Sequence, residues 1–251
     1  MEGVRMDWEA WQRSWDRQQE LYLPDREERF RVLLDVVEAS AGKSPRVLDL
    51  ACGTGTISRR LFARLPEASL VAVDRDPTLL AVARGSFDGD PRISFVVADL
   101  EEPGWTRQLP SEPFDAVLTA TATHWMPADA LARLYADSRP LLRPGGVLVN
   151  ADHMPDPRTP MLNTLDEIIQ RAHQERARAD GARDWDQWWA DIAADPELAD
   201  ETTASRAIFE GRKPGVPQPL AWHLDRLAEA GFTEAGVAWR SITDAVVVGI
   251  R

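Results

Sequence analysis

The sequence predicts an α/β fold: a seven-stranded, mostly parallel sheet with helices ahead of it and a helical cap inserted before its last strands. Three observations carry this expectation. Short apolar runs alternate with amphipathic segments from Arg46 to Ala151, and strands separated by helices imply right-handed crossovers and a parallel sheet covered on both faces. The alternation stops at Asp152, where a stretch without a convincing strand begins. Two segments of alternating apolar character then end the chain, as a pair of strands would.

In chain order, residues 7–23 read as an amphipathic helix because Trp8, Trp11 and Trp15 share the spacing of one helical face. Pro24 ends it, and Asp25 is a candidate N-cap for a second helix over 26–39. Residues 46–50 (RVLDL) form a short buried strand and 56–65 a helix. A strand over 70–74 and a helix over 77–84 follow, then strands over 93–98 and 114–119 and a helix over 127–138. Arg143-Pro144-Gly145-Gly146 turns the chain into a fifth strand, 147–151. The insert carries two helical stretches, 161–179 and 184–194. A helix over 220–230, stopped by Gly231, leads to strands over 235–240 and 245–250. The expected organisation is one domain in four segments: 1–44, 45–151, 152–215 and 216–251.

A length of 251 residues and a hydrophobic fraction of 44% suit one well-filled α/β domain. The net charge of −12, with basic residues scattered among acidic ones, argues against nucleic acid as a partner, which would need a concentrated cationic surface. No apolar run reaches the roughly 20 residues that span a bilayer, so no membrane partner is expected. The first residues lack a leader's apolar stretch, and the lone Cys52 suits a reducing compartment, so a cytoplasmic location is expected.

The strongest local signal is Val47-Leu-Asp-Leu-Ala-Cys-Gly-Thr-Gly-Thr56. A buried strand runs into a turn containing Gly53 and Gly55, and a helix then begins. Glycines allow the sharp turn and close approach of a ligand, and the helix N-terminus offers unpaired N–H groups. Taken alone, such a turn is also what an ordinary βα connection looks like. Asp49 lies at the strand's carboxyl end, where open α/β sheets bind ligands. Asp74 ends the next strand, 19 residues beyond Gly55, where an acid can accept from ribose hydroxyls. Asp99-Leu100 ends the third strand, and Asp49, Asp74 and Asp99 thus line one sheet edge. Ser58 stands where a dinucleotide-binding fingerprint has its third glycine.

These residues resemble the class I (Rossmann-like) S-adenosylmethionine-dependent methyltransferases, small-molecule type. Asp49-Leu-Ala51-Cys-Gly53-Thr-Gly55 is similar to that family's Asp-x-Gly-x-Gly-x-Gly cofactor loop, with Ala51 in place of the first glycine, and Leu141-Leu-Arg-Pro-Gly-Gly-Val147 to its motif before the fifth strand. The resemblance covers roughly residues 45–150 and 220–251. It implies S-adenosyl-L-methionine as cofactor and S-adenosyl-L-homocysteine as product, with Asp74 on the ribose and Asp99 on the adenine amino group. Arg75, Leu100 and Thr119, beside these positions or at the fourth strand's end, complete the expected cofactor set.

The acceptor side follows the fourth strand, in Thr119-Ala-Thr-Ala-Thr-His124-Trp125-Met126. His-Trp here resembles the pattern of trans-aconitate, juvenile hormone acid and salicylate carboxyl methyltransferases. That resemblance implies Trp125 on the acceptor, with Gln18 or Gln19 supplying an amide. His124 is a candidate base, a carboxylate clamp or a helix cap. His153, after the fifth strand, is a second catalytic candidate, and with Asp152 it is too few ligands for a closed metal site, so no metal is expected. His173 and His223 read as structural. Trp185, Trp188, Trp189 and Ile192 share one helical face, which fits a cap core, although Trp189 could also roof an apolar acceptor pocket. Tyr22 is a further acceptor candidate, with packing as its other reading.

The expected activity is methyl transfer to an oxygen of a small metabolite, a carboxylate or a hydroxyl, by a monomer or homodimer. Nitrogen or carbon acceptors, a non-methylating reaction such as cyclisation or decarboxylation in the same pocket, a nicotinamide-dependent dehydrogenase and a scaffold protein are the alternatives.

Overall fold

The computed structural model describes residues 6–213 and 215–251. Residues 1–5, on which part of the leader reading fell, and Pro214 of the expected insert lie outside the described residues.

Helix α1 (Trp8–Glu20) starts where the Asp7 carboxylate accepts the Ala10 N–H at 2.9 Å. It ends three residues before the expected Leu23, and Leu21 just beyond it is fully buried. Helix α2 (Arg26–Ala41) closes on Gly42 at φ 74°. The alternating core follows as β1 (Arg46–Leu50), α3 (Thr56–Arg64), β2 (Ser69–Asp74), α4 (Pro77–Ser86), β3 (Ile93–Val97), β4 (Phe114–Ala120), α5 (Ala128–Ser138) and β5 (Leu142–His153). The insert holds α6 (Pro160–Ala179), α7 (Trp185–Ala193) and α8 (Ala199–Phe209), and α9 (Leu220–Glu229), β6 (Glu234–Arg240) and β7 (Asp244–Ile250) complete the chain.

Among the described residues seven strands form one sheet in the order β3-β2-β1-β4-β5-β7-β6. Strands β1 to β5 run parallel, while β7 is antiparallel to both β5 and β6. The order reverses direction between β1 and β4, and the crevice beyond the carboxyl ends of such strands is where open α/β sheets take ligands. The fold class matches the sequence expectation.

Two differences have physical causes. Strand β5 begins at Leu142 rather than Val147, because Arg143–Gly146 lie within it as a bulge: Phe114 faces Leu142, but Ala116 already faces Val147. Gly146 is required there, since a Cβ would sit 2.9 Å from the Arg143 carbonyl oxygen and 3.0 Å from that of Asp115. The insert also holds a third helix, α8, that its apolar pattern does not announce. Its buried residues are Thr202 and Ser205, so its inward face is polar and leaves no hydrophobic stripe.

One face of the sheet is covered by α2 and α3 through Phe30, Leu33, Val37, Ile57 and Leu61, the other by α5 and α9 through Leu131, Leu134, Tyr135 and Leu227. A third cluster joins α1 to the insert: Trp15, Val82, Trp188, Ile192 and Leu198 pack together, with Trp8, Trp11 and Trp189 at its margin. The tryptophan spacing in α1 and α7 therefore builds a seam between the N-terminal helix, α4 and the cap. Helix α6 leans outward. Asp166 is its one buried residue, while Met161, Leu165, Ile168 and Ile169 are exposed. The Thr243 hydroxyl tethers it by donating to Asp166 at 2.6 Å, and the His173 ring donates to the Glu20 carbonyl at 3.0 Å. Among the described residues no helix is long and apolar enough to cross a membrane.

Candidate active site

The turn after β1 is left-handed three times: Ala51 at φ 55°, Gly53 at φ 55° and Gly55 at φ 83°. A residue with a Cβ pays about 1–2 kcal/mol for that conformation, so Ala51 is strained where the family resemblance implies a glycine. The other non-glycine outlier among the described residues, Thr121 at φ 54°, directly follows β4. Both strained residues thus flank the crevice between β1 and β4, and such strain concentrates at functional sites.

Asp49 is wholly buried beneath the turn. Ser58 donates to its Oδ2 at 3.1 Å, while Oδ1 has no partner among the described residues. Burial pushes its pKa up to about 7, against the Ser58 hydrogen bond and with the charge of Asp74 adding to the rise. Ser58 therefore has a positive use beyond departing from the dinucleotide fingerprint. Asp74 accepts the Gly53 N–H at 2.7 Å on one oxygen and the Asp76 N–H at 2.9 Å on the other. Each carboxylate oxygen has room for a second donor. Burial raises this group to about 6, partly countered by those backbone N–H groups. The buried hydroxyls of Thr54 and Thr119 are likewise without partners. A glycine turn, an acid with two spare acceptor positions and orphaned polar atoms on both sides of the crevice fit an adenosyl cofactor of the expected kind.

Asp99 is arranged differently. Its Oδ1 accepts from Arg75 Nη1 at 3.0 Å and from the Glu101 N–H at 3.0 Å. Its Oδ2 accepts from Arg75 Nη1 at 3.1 Å and from Arg212 Nη2 at 2.8 Å. Glu101 joins the cluster, 3.0 Å from Arg75 and 3.2 Å from Arg212. Arg75 is thus engaged with two acids and lies 5.0 Å from the Phe209 ring centre at the end of α8. Leu100 is half-buried against the core on the α5 face. Arg212 and Phe209 were not foreseen, because α8 itself was not.

On the acceptor side the structure joins His124 to Asp152. The ring Nδ1 lies 2.6 Å from Asp152 Oδ1, with Nδ1 as donor to the carboxylate. Asp152 also accepts the Thr123 hydroxyl at 2.5 Å and the backbone N–H groups of Thr123 at 2.7 Å and His153 at 2.8 Å. Burial alone would raise its pKa, but the His124 charge and these donors hold it well below the usual carboxylate range. Burial would in turn lower His124, yet the charge and hydrogen bond of Asp152, with Asp244 adding, raise it above the ordinary 6.5. A buried chain backs this pair: Asn150 Nδ2 donates to Thr123 Oγ1 at 3.0 Å and to Tyr135 Oη at 2.8 Å. The Tyr135 hydroxyl meets His223 Nδ1 at 2.7 Å, and burial keeps His223 neutral, with a pKa near 4. Asn150, a polar residue in the otherwise apolar run Val147–Ala151, was the visible sign of this network.

His153 makes a second such contact, Nδ1 to Asp244 Oδ1 at 3.2 Å, and Asp244 also faces buried Arg29 at 2.8 Å. Among the described residues no group of three or more His, Cys, Asp or Glu side chains is placed to hold a metal ion. The Trp125 ring is exposed, 5.1 Å from that of His124. Gln18 is buried and accepts from Gln19 at 2.8 Å. The Tyr22 hydroxyl accepts the Trp185 N–H at 3.0 Å, tying the N-terminal segment to α7. Trp189 packs edge-on to Trp188 at 5.2 Å in the cap seam. Cys52 is buried, and burial pushes its thiol well above its ordinary value, which suits packing rather than nucleophilic use. A groove of about 740 Å³ between α1 and the end of α6, lined by Trp11, Arg17, Gln18 and His173, lies apart from the three strand-end acids.

Residues 47–146 match the family model described as a methyltransferase domain. The trans-aconitate 2-methyltransferase of Methylobacterium radiotolerans is 34% identical over 139 residues, 54% of this chain and 48% of that protein. The carboxy-S-adenosyl-L-methionine synthase of Chromohalobacter salexigens is 29% identical over 216 residues, 82% of this chain and 68% of that protein. The chain spans about half the length of the trans-aconitate relatives it matches. An O-methyltransferase family protein from Burkholderia thailandensis shares the fold, with a TM-score of 0.56 at 20% identity over 88% of this chain and 55% of that one. With the strand order, the glycine turn and the strand-end acids, these matches make residues 47–146 similar to a methyltransferase domain.

Proposed function

We propose that this protein transfers a methyl group from S-adenosyl-L-methionine to a hydroxyl oxygen of a small molecule, with His124 as general base. The observation that carries the reading is the His124–Asp152 pair at the carboxyl ends of β4 and β5. When bound, the cofactor supplies an electrophilic methyl on a sulfonium centre. Asp49 and the turn at Gly53 and Gly55 would seat it, Asp74 would accept from the ribose hydroxyls, and Asp99 would lie at the adenine end.

Asp152 accepts the hydrogen bond of the His124 Nδ1–H, which fixes the tautomer and leaves Nε2 with its lone pair as the proton acceptor. The Thr123 and His153 N–H groups hold Asp152 in place, and Asn150 and Tyr135 hold Thr123. A hydroxyl acceptor gains from such a base, whereas a carboxylate is ionised near neutral pH and needs none. Exposed Trp125 beside His124 offers an apolar surface to an aromatic or aliphatic acceptor.

The test is S-adenosylhomocysteine release across a panel of phenols, alcohols and carboxylic acids. A base requires neutral His124, so kcat/KM should rise with pH through the raised His124 pKa, and His124→Ala should lower turnover by about 10²-fold or more. A rate that falls over that range would mark His124 as a cationic clamp for a carboxylate instead. The similarity to the carboxy-S-adenosyl-L-methionine synthase supports a second reading, a reaction at the same cofactor without methyl transfer. Cofactor binding with no S-adenosylhomocysteine released on any acceptor would favour it.

A further inference from the structure

We infer that Arg212, carried by the cap, competes with the adenine amino group for the Asp99 carboxylate, so that loading the cofactor requires the chain after α8 to release that ion pair. The inference rests on the cofactor reading above, with Asp99 at the adenine end.

An ionised carboxylate offers about four lone-pair positions, two on each oxygen. Asp99 has four donor contacts: Arg75 on both oxygens, the Glu101 N–H on Oδ1 and Arg212 on Oδ2. Asp74, by contrast, has one backbone N–H on each oxygen and a spare position on both. The ribose end is thus open to a further donor, while the adenine end is filled.

Arg212 is the partner able to leave. The Glu101 N–H is fixed by the backbone turn that follows β3. Arg75 is about one-fifth exposed, bonded to Glu101 as well, and packed on the Phe209 ring. Arg212 is about one-third exposed, and beyond Asp99 its guanidinium bonds only Glu101, at 3.2 Å, among the described residues. Gly211 precedes it at φ 73°, and a Cβ there would meet nothing within 4 Å, so the backbone has room to swing. Helix α8 itself stays docked when Arg212 lets go. Ser205 donates to Asp76 Oδ1 at 2.5 Å and lies 2.7 Å from the Thr78 hydroxyl. Movement is thereby confined to the last turn, and the cap gains a charged contact that an incoming adenine must displace.

The test is calorimetric titration of S-adenosylhomocysteine into the wild-type chain and Arg212→Gln, at low and high salt. An ion pair this exposed is modest in strength, so its removal should tighten binding about three-fold. Salt screens the competitor, so the gap should close at high ionic strength. S-Inosylhomocysteine, whose 6-oxo group cannot donate to Asp99, should show no gap at either salt. Equal or weaker S-adenosylhomocysteine binding by Arg212→Gln, with an unchanged thermal transition, would overturn the competition. If neither protein binds S-adenosylhomocysteine, the cofactor reading fails first and the competition falls with it.

Discussion

Asp152→Asn is the sharpest perturbation of the proposed base, because the change is nearly isosteric while every contact of Asp152 is with a donor. The amide oxygen can keep only one side of that arrangement. If it stays with the Thr123 hydroxyl and N–H groups, the amide nitrogen faces His124 Nδ1 and the His153 N–H. His124 must then accept at Nδ1 and carry its proton on Nε2, which removes the lone pair that would take a proton from the acceptor. The His153 N–H loses its partner in a buried setting, which costs about 1–3 kcal/mol. Turnover should fall by about 10²-fold or more with cofactor affinity intact. The variant also removes the main charge that raises His124, so the ring's titration midpoint, read by imidazole NMR, should drop as burial is opposed by Asp244 alone. The pH dependence of stability has a definite sign. His124 is raised in the folded state, so its contribution is complete below about 6.5 and fades as pH rises through the folded value. Asp152 is depressed, so its contribution is complete above about 3.9 and fades on acidification. The wild-type advantage over Asp152→Asn should therefore peak between about pH 4 and 6.5. An unchanged His124 midpoint in the variant would refute the coupling on which the mechanism depends.

Other outcomes follow from the cofactor crevice and the cap. Asp74 is raised to about 6 and must be ionised to accept two ribose hydroxyls, so S-adenosylhomocysteine affinity should climb as pH rises through 6 and level off above it. Titrations at a series of pH values would show this, and Asp74→Ala should flatten the profile. The same elevation, with that of Asp49, favours the protonated folded state, so the ligand-free protein should lose stability as pH rises from about 4 to 7. Ala51→Gly relieves a left-handed alanine and should stabilise by about 0.5–1 kcal/mol after glycine's entropic cost, read by chemical denaturation. Trp188→Ala should destabilise by about 3–5 kcal/mol, because that ring is fully buried against Trp11 and Trp15 and its Nε1 donates to Ser14 at 3.0 Å. A loss below 1 kcal/mol would argue that the α1–α7 seam is loose.

What the chain discloses before folding follows the physics of each element. The strand at 46–50 is readable to the residue because a strand buried on both faces is a continuous apolar run, and the left-handed turn after it demands glycines. Asp49, Asp74 and Asp99 are visible because each lies at or just beyond the carboxyl end of an apolar strand segment. Helix α8 is hidden because its inward face is Thr202 and Ser205, and with it went Phe209 and Arg212. The partner of His124 is hidden for another reason. Asp152 is adjacent in sequence to His153 but bonds His124 on another strand's end, a pairing that only the β4–β5 register creates. Helix α6 is legible as a helix, but its pattern does not disclose that Met161, Leu165, Ile168 and Ile169 are exposed.

The most direct test of the central claim is calorimetric titration of the wild-type chain and Asp74→Ala with S-adenosylmethionine, S-adenosylhomocysteine and NADH. The account predicts micromolar binding of both adenosyl ligands by the wild type, loss of that binding in the variant, and no response to NADH. Absence of adenosyl binding in the wild type, or binding of NADH in its place, would contradict it.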